Sequence, residues 1–190
     1  AFTLFASQRP RPVHISIPID VQAEQVDEDW QPVTLPGRPK ADPEDIAKAA
    51  NWLKGANSPL IMVGGGACDA GAALSRIAER IGAIVIASTA GKGIIPDDHP
   101  LSLSASTVRP EVLRILPEAD VILAVGTELS ETDSFVERLN FNGRIIRIDI
   151  DPSKINDFYP ADLGIIADAQ STIQALSVEL DDFRATGVEA

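Results

Sequence analysis

From residue 42 onward, short apolar runs alternate with longer stretches in which apolar positions recur every three or four residues. The runs are LIMV (60–63), AIVIAS (83–88), VILAV (121–125) and RIIRIDI (144–150), with a weaker LGII (163–166). They are rich in Val and Ile and apolar at successive positions, so both of their faces call for burial. Strands of a parallel sheet covered by helices have this composition. Between them, helical patterns are expected over 70–81, 110–116, 134–139 and 172–183. An earlier helix begins after Asp42, an N-cap residue followed by Pro43 at the first helical position, with Ile46, Ala49, Ala50 and Leu53 at helical spacing. This alternation predicts a three-layer α/β domain with a parallel sheet of about six strands in the order 3-2-1-4-5-6. Upstream, residues 21–43 carry Pro32, Pro36, Pro39 and Pro43 with Gly37, the composition of an extended, semi-rigid linker.

Composition narrows the class of partner. The 190 residues are 45% hydrophobic, enough for a sizeable core, and carry a net charge of −12. Nucleic acid and anionic membranes call for basic surfaces, so neither is an expected partner. Cys68 is the single cysteine, which excludes an internal disulfide and fits a reducing, cytoplasmic setting. No apolar run is long enough to span a bilayer.

The candidate chemistry sits where the apolar runs end. IMVGGGACDAG (61–71) leads a strand through three glycines into a helical pattern. Gly64 and Gly66 match the first two positions of a G-x-G-x-x-G dinucleotide fingerprint, but Asp69 stands at the third. The next strand ends in ASTAGKG (87–93) without the acid that would hold a ribose, so the NAD reading lacks two of its requirements. A P-loop fails as well, because Ala72 and Ala73 stand where Lys and Ser or Thr are needed. What remains is a glycine turn opening a helix, whose N–H groups suit an anion; the other reading is a close turn with no ligand. Lys92 could meet an anion or be a solvated surface residue. His14, His99 and Cys68 are too few for a His/Cys metal site, and no G-x-S-x-G elbow raises a Ser-His-Asp reading. In AVGTELSETDSF (124–135), Gly126 and Thr127 end a strand ahead of Glu128, Glu131 and Asp133, and Thr132 could cap a following helix. Asp149 and Asp151 lie two apart at another strand end, where α/β ligands bind; they could hold a ribose or a metal.

Five blocks in order carry a resemblance: GGGA (64–67), TAGKGIIPDDHPL (89–101), ADVILAVGTEL (119–129), RIIRIDIDPSKI (144–155) and PADLGIIADA (160–169). Together they resemble the central domain of thiamine diphosphate-dependent enzymes, the acetolactate synthase and 2-oxo acid decarboxylase superfamily. The start, AFTLFASQRPRPVHISIPIDV (1–21), is similar to the last helix and strand of that family's pyrimidine-binding domain, with Arg11-Pro12-Val13 where the family usually has Gly-Pro-Val. The resemblance implies four parts: a remnant of the pyrimidine-binding domain (1–20), a linker (21–41), a Rossmann-like (DHS-like) central domain (42–184) and a tail (185–190). Val13–Ile17 would be an orphan strand that is disordered, surface-packed or paired with a neighbouring chain.

The same resemblance implies what the parent enzyme holds and what this piece does not. Thiamine diphosphate and magnesium belong to the flanking domains; the family's Gly-Asp-Gly motif does not occur here, and its catalytic glutamate would lie upstream of residue 1. The piece is thus expected to be inactive by itself, within a lyase or transferase that decarboxylates or carboligates 2-oxo acids and is a homodimer or homotetramer. GTELSETD (126–133) resembles decarboxylases of basic 2-oxo acids such as 2-ketoarginine. In relatives, the central domain is a structural spacer, binds FAD as in acetolactate synthase, or binds ADP as in oxalyl-coenzyme A decarboxylase. A nucleotide site would use Gly64, Gly65, Gly66, Gly126, Thr127, Asp149 and Asp151. The family often places a basic residue after the Gly-Thr pair, whereas this chain has Glu128, a charge expected to repel a pyrophosphate. Ser104 likewise stands at a position where the family often has Gly. The expectation is a vestigial nucleotide site in a structural spacer. FAD or ADP binding is the alternative, and an independent NAD-binding Rossmann oxidoreductase the second.

Overall fold

The computed structural model describes residues 1–186, so the last part of the expected tail lies outside the described residues. The chain falls into two units that divide between Arg38 and Pro39. In the first, helix α1 (Phe2–Ser7) buries none of its residues and a single 3-10 turn spans Val21–Ala23. Residues 13–17 form no strand, and Val13, Ile15 and Ile17 are exposed.

The second unit is the α/β domain. Its sheet has five parallel strands: β1 (Pro59–Val63), β2 (Ile84–Ala87), β3 (Val121–Val125), β4 (Arg144–Asp149) and β5 (Leu163–Ile166), in the order β2-β1-β3-β4-β5. The expected sixth strand is rudimentary. Val85 N–H donates to the Leu101 carbonyl, Leu103 N–H to Val85 and Ala87 N–H to Ser104, all at 2.8–2.9 Å, and one parallel bridge joins Val85 to Ser102. With that segment counted outside β2, the order is the expected 3-2-1-4-5-6. It stops short because Ser104 adopts a left-handed conformation, φ 53°, which turns the chain off the sheet.

Side-chain alternation sends β1 to β4 to two cores, while β5 at the sheet edge buries only Leu163 and Ile165 on one face and leaves Ile166 exposed. Ile61, Val63, Val85, Leu123, Val125, Ile146 and Ile148 point to one face, where α2 (Pro43–Lys54), α3 (Gly71–Ile81) and α6 (Ala169–Glu179) cover them with Leu53, Leu74, Ile77, Ile173 and Leu176. Leu60, Met62, Ile86, Ile122, Ala124 and Ile145 point to the other, against Val112 of α4 (Pro110–Ile115) and Leu116, Leu129, Leu139 and Tyr159. The second cover is mostly loop, since the helix expected over 134–139 is absent. A single turn, α5 (Glu131–Ser134), replaces it, capped by Ser130 rather than Thr132 and ended by Phe135 at φ 53°. The helix expected over 172–183 starts earlier, because the Asp168 side chain accepts from Ser171 N–H and caps α6. The expected Asp42 cap forms, accepting from Glu44 N–H.

A cation is sealed inside this sheet. Arg147 in the middle of β4 is 1% exposed. Its guanidinium donates to the carbonyls of Tyr159 and Thr127, each at 3.1 Å, and to Asp157 Oδ1 at 2.7 Å. The planar fork satisfies three oxygens from two loops, one after β3 and one after β4, in a fixed geometry that a compact ammonium would not reproduce. Burial pushes the Asp157 carboxyl up, but the Arg147 hydrogen bond and charge, with Lys154 adding a little, outweigh it and leave the pKa below its ordinary value.

Arg147→Ala leaves buried carbonyls unpaired and Asp157 without its main partner, so it should cost about 3–5 kcal/mol in chemical denaturation, and Arg147→Lys should recover only part of that. Because the folded pKa of Asp157 is depressed, its stabilisation is present above about pH 3.9 and is lost as pH falls through the lower folded value; the variant's stability profile should show a smaller acid limb. Phe135→Gly should raise stability by up to about 1 kcal/mol, because the ring is 83% exposed while its backbone is left-handed. A thermal melt unchanged or lowered by Phe135→Gly would show that the ring stabilises more than its backbone costs.

Candidate functional site

The register sets the site. Val63 of β1 is level with Ala87 of β2 and Val125 of β3, and Val125 is level with Ile148 of β4. Gly64, Ser88, Gly126 and Asp149 therefore follow at one rim, the carboxyl ends of the strands. The structure brings the glycine turn, the Gly126–Thr127 exit and the Asp149–Asp151 segment together there, as the sequence suggested.

Their hydrogen bonds and contacts are mostly internal. Gly64 N–H donates to the Val125 carbonyl, Gly66 N–H to Gly126 and Ala67 N–H to Gly64, each at 3.0 Å, and Gly126 N–H donates to Ile148 at 2.8 Å. A Cβ on Gly64 would lie 2.3 Å from the Gly126 oxygen, and one on Gly126, which has φ 56°, 2.6 Å from the Gly66 carbonyl carbon. These glycines are required by backbone packed on backbone. Gly65 is less constrained, its added Cβ meeting the Ala90 methyl at 3.2 Å.

The turn also does not open the α-helix directly, contrary to expectation. A 3-10 segment, Gly65–Ala70, intervenes, and α3 begins at Gly71, where a Cβ would sit 2.2 Å from the Ile94 carbonyl oxygen. The start of α3 is thus packed against the Ile94 backbone and is separated from the Gly64–Gly66 turn by the 3-10 segment.

The polar side chains serve local turns. Thr127 Oγ1 accepts from Leu129 N–H at 3.2 Å. Asp149 Oδ1 accepts from Asp151 N–H at 2.9 Å, and Asp151 Oδ1 accepts from Ser153 N–H and Oγ, capping the 3-10 turn Pro152–Lys154. The enclosed recess between β1 and β3, bounded by Met62, Ser88, Thr107, Thr127 and Asp133, has a volume of about 10 Å³, room for roughly one water. The Gly64, Gly66 and Gly126 amides and the Thr127, Asp149 and Asp151 side-chain oxygens are thus engaged within the chain.

Glu128 has a partner that sequence reasoning missed. Its Oε2 lies 2.9 Å from Lys154 Nζ, which is also 3.5 Å from Asp157 Oδ2. The hydrogen bond to Glu128 raises the Lys154 pKa, working against a smaller opposing effect of burial, and the Glu128 and Asp157 charges add to it. The charge expected to stand bare before a pyrophosphate is therefore matched. Asp157, Tyr159 and Arg147 also went unassigned. The signal for Arg147 was available: an arginine inside the otherwise apolar run RIIRIDI must find buried acceptors. In the loop after β2, Lys92 lies 3.9 Å from Asp97, and His99 lies 3.1 Å from Glu79. Among the described residues no group of three His, Cys, Asp or Glu could hold a metal, and no helix is long and apolar enough to cross a membrane.

Comparison with known proteins agrees with this architecture. The fold superposes on benzoylformate decarboxylase from Polynucleobacter necessarius with a TM-score of 0.78 at 19% identity, covering 96% of this chain and 35% of that one. In sequence, the chain is 46% identical over 182 residues to a protein named "Probable 2-ketoarginine decarboxylase AruI" from Pseudomonas aeruginosa, covering 95% of this chain and 33% of the relative. It is 35% identical over 192 residues to a protein named "Probable acetolactate synthase large subunit" from Methanocaldococcus jannaschii, covering 95% of this chain and 32% of the relative. The chain thus spans about a third of the length of the curated relatives it matches. Residues 46–176 match the family described as thiamine pyrophosphate enzyme, central domain, and the chain belongs to that family.

Proposed function

We propose that this chain is the structural central domain of a thiamine diphosphate-dependent enzyme that decarboxylates a 2-oxo acid, and that it serves as a spacer without a bound nucleotide. The observation that carries the spacer reading is the state of the rim. Most of the amides and carboxylates a nucleotide would use already serve the turns that build the rim. Decarboxylation, rather than carboligation, is supported by the 46% identity to the 2-ketoarginine decarboxylase relative against 35% for the acetolactate synthase relative. A 2-oxo acid with a basic side chain is the substrate class this favours.

In this reading the domain contributes no reacting group. Thiamine diphosphate, with magnesium, supplies the chemistry from domains outside residues 1–190, and the parent is a cytoplasmic homodimer or homotetramer. Residues 1–20 belong to the pyrimidine-binding domain and 21–41 are a linker. Support for the former is the exposure of Phe2, Ile15, Ile17 and Ile19, apolar residues with no cover within their unit. The net charge of −12 argues against nucleic acid and anionic membrane as partners.

Thermal unfolding of the chain with FAD, ADP and NAD added in turn tests the spacer reading. A ligand at a hundred times its dissociation constant would add about 2.7 kcal/mol; the expected result is no shift with any of the three. A clear rise with FAD or ADP would make the rim a working nucleotide site and overturn the reading.

A further inference from the structure

The Glu128–Lys154 pair explains more than the absence of repulsion at the rim. Glu128 stands two residues past Gly126 at the exit of β3, and Lys154 ends the 3-10 turn that follows β4. The two strands are level, so a carboxylate and an ammonium meet across the cleft between their carboxyl ends, where ligands of open α/β sheets bind. Lys154 is 22% exposed and Glu128 37%, so the pair sits at the mouth of the rim rather than in the core. The second acid near Lys154, Asp157, is 3.5 Å away and is more tightly held by Arg147 at 2.7 Å. Glu128 is therefore the main counter-ion of Lys154. Arg147 is buried and committed to three oxygens, so it offers no alternative cation.

Resting on the spacer reading, we propose that Glu128 is an internal stand-in for a diphosphate. Its carboxylate occupies Lys154, so the chain excludes nucleoside diphosphates by filling a cation that the rim still possesses. An external phosphate must displace a carboxylate tethered to the same chain, which the tether's high effective concentration opposes. Removal of the Glu128 charge frees the ammonium and lowers the local negative potential together. Glutamine keeps the side chain's shape, and its half-exposed position makes the change compatible with folding. Simple repulsion by Glu128 makes a different forecast. It requires no particular cation, so the effect of neutralising Glu128 would not depend on Lys154.

The test is titration calorimetry of ADP into the 190-residue chain at low ionic strength, with adenosine as the control and circular dichroism to check folding. The variants are Glu128→Gln, Glu128→Ala and Glu128→Gln combined with Lys154→Ala. The expected result is ADP binding roughly ten- to a hundredfold tighter in both single variants than in the unaltered chain, no binding of adenosine, and loss of the gain in the double variant. Folded single variants that ignore ADP would overturn the inference while the nucleotide-free reading stands. A gain that survives Lys154→Ala would overturn the role of Lys154. Binding of ADP by the unaltered chain as tight as by the variants would overturn the inference and the spacer reading alike.

Discussion

The domain is organised around one close approach, the Gly64–Gly66 turn lying backbone to backbone on Gly126. Side chains at these positions would push the turn away from the end of β3. Their absence lets Gly64 and Gly66 N–H groups bond to Val125 and Gly126 and finish the β1–β3 ladder past its last strand residues. The exits of β1 and β3 are locked side by side as a result, and the 3-10 segment before α3 is set down on the same place. Backbone amides used in this way cannot also point at a phosphate. The same three glycines would read as a phosphate cradle in a sequence, and the distinction lies wholly in where their N–H groups go.

A second constraint comes from charge. The low-dielectric interior tolerates the Arg147 guanidinium only because the Thr127 and Tyr159 carbonyls and the Asp157 carboxylate surround it. Two of those oxygens come from the connection between β4 and β5 and one from the exit of β3, so burying one cation ties the two connections together. Lys154 and Glu128 extend the set outward to solvent. The rim is thus an alternation of charges that neutralise one another within the chain, in a protein whose overall charge is strongly negative.

The sheet and its covering helices were legible in the sequence. The runs that became β1 and β3 are buried at every position and β2 and β4 at nearly every one, so the arrangement that buries them is a layer between layers, while the weaker run of β5 is buried on one face at the sheet edge. The cap at Asp42 is local chemistry that needs no tertiary partner. The segment 134–139 misled because its apolar spacing suits a helix, while Leu139 is in fact anchored from outside, its N–H donating to the Tyr159 hydroxyl at 2.7 Å. The sixth strand shrank to a bridge because Ser104 turns the chain, a conformation that no apolar pattern records.

The sequence by itself determined the fold class, the strand–helix order and the family, because burial periodicity and the order of motif blocks are properties of the chain. It also named the rim residues correctly as neighbours, since the ends of parallel strands must fall at one edge. Only the tertiary structure decided what those neighbours do. Whether Gly66 N–H faces a ligand or Gly126, and whether Glu128 stands bare or against Lys154, depends on groups 60 and 26 residues away along the chain. Such pairings follow from strand register and loop closure, which local sequence does not encode.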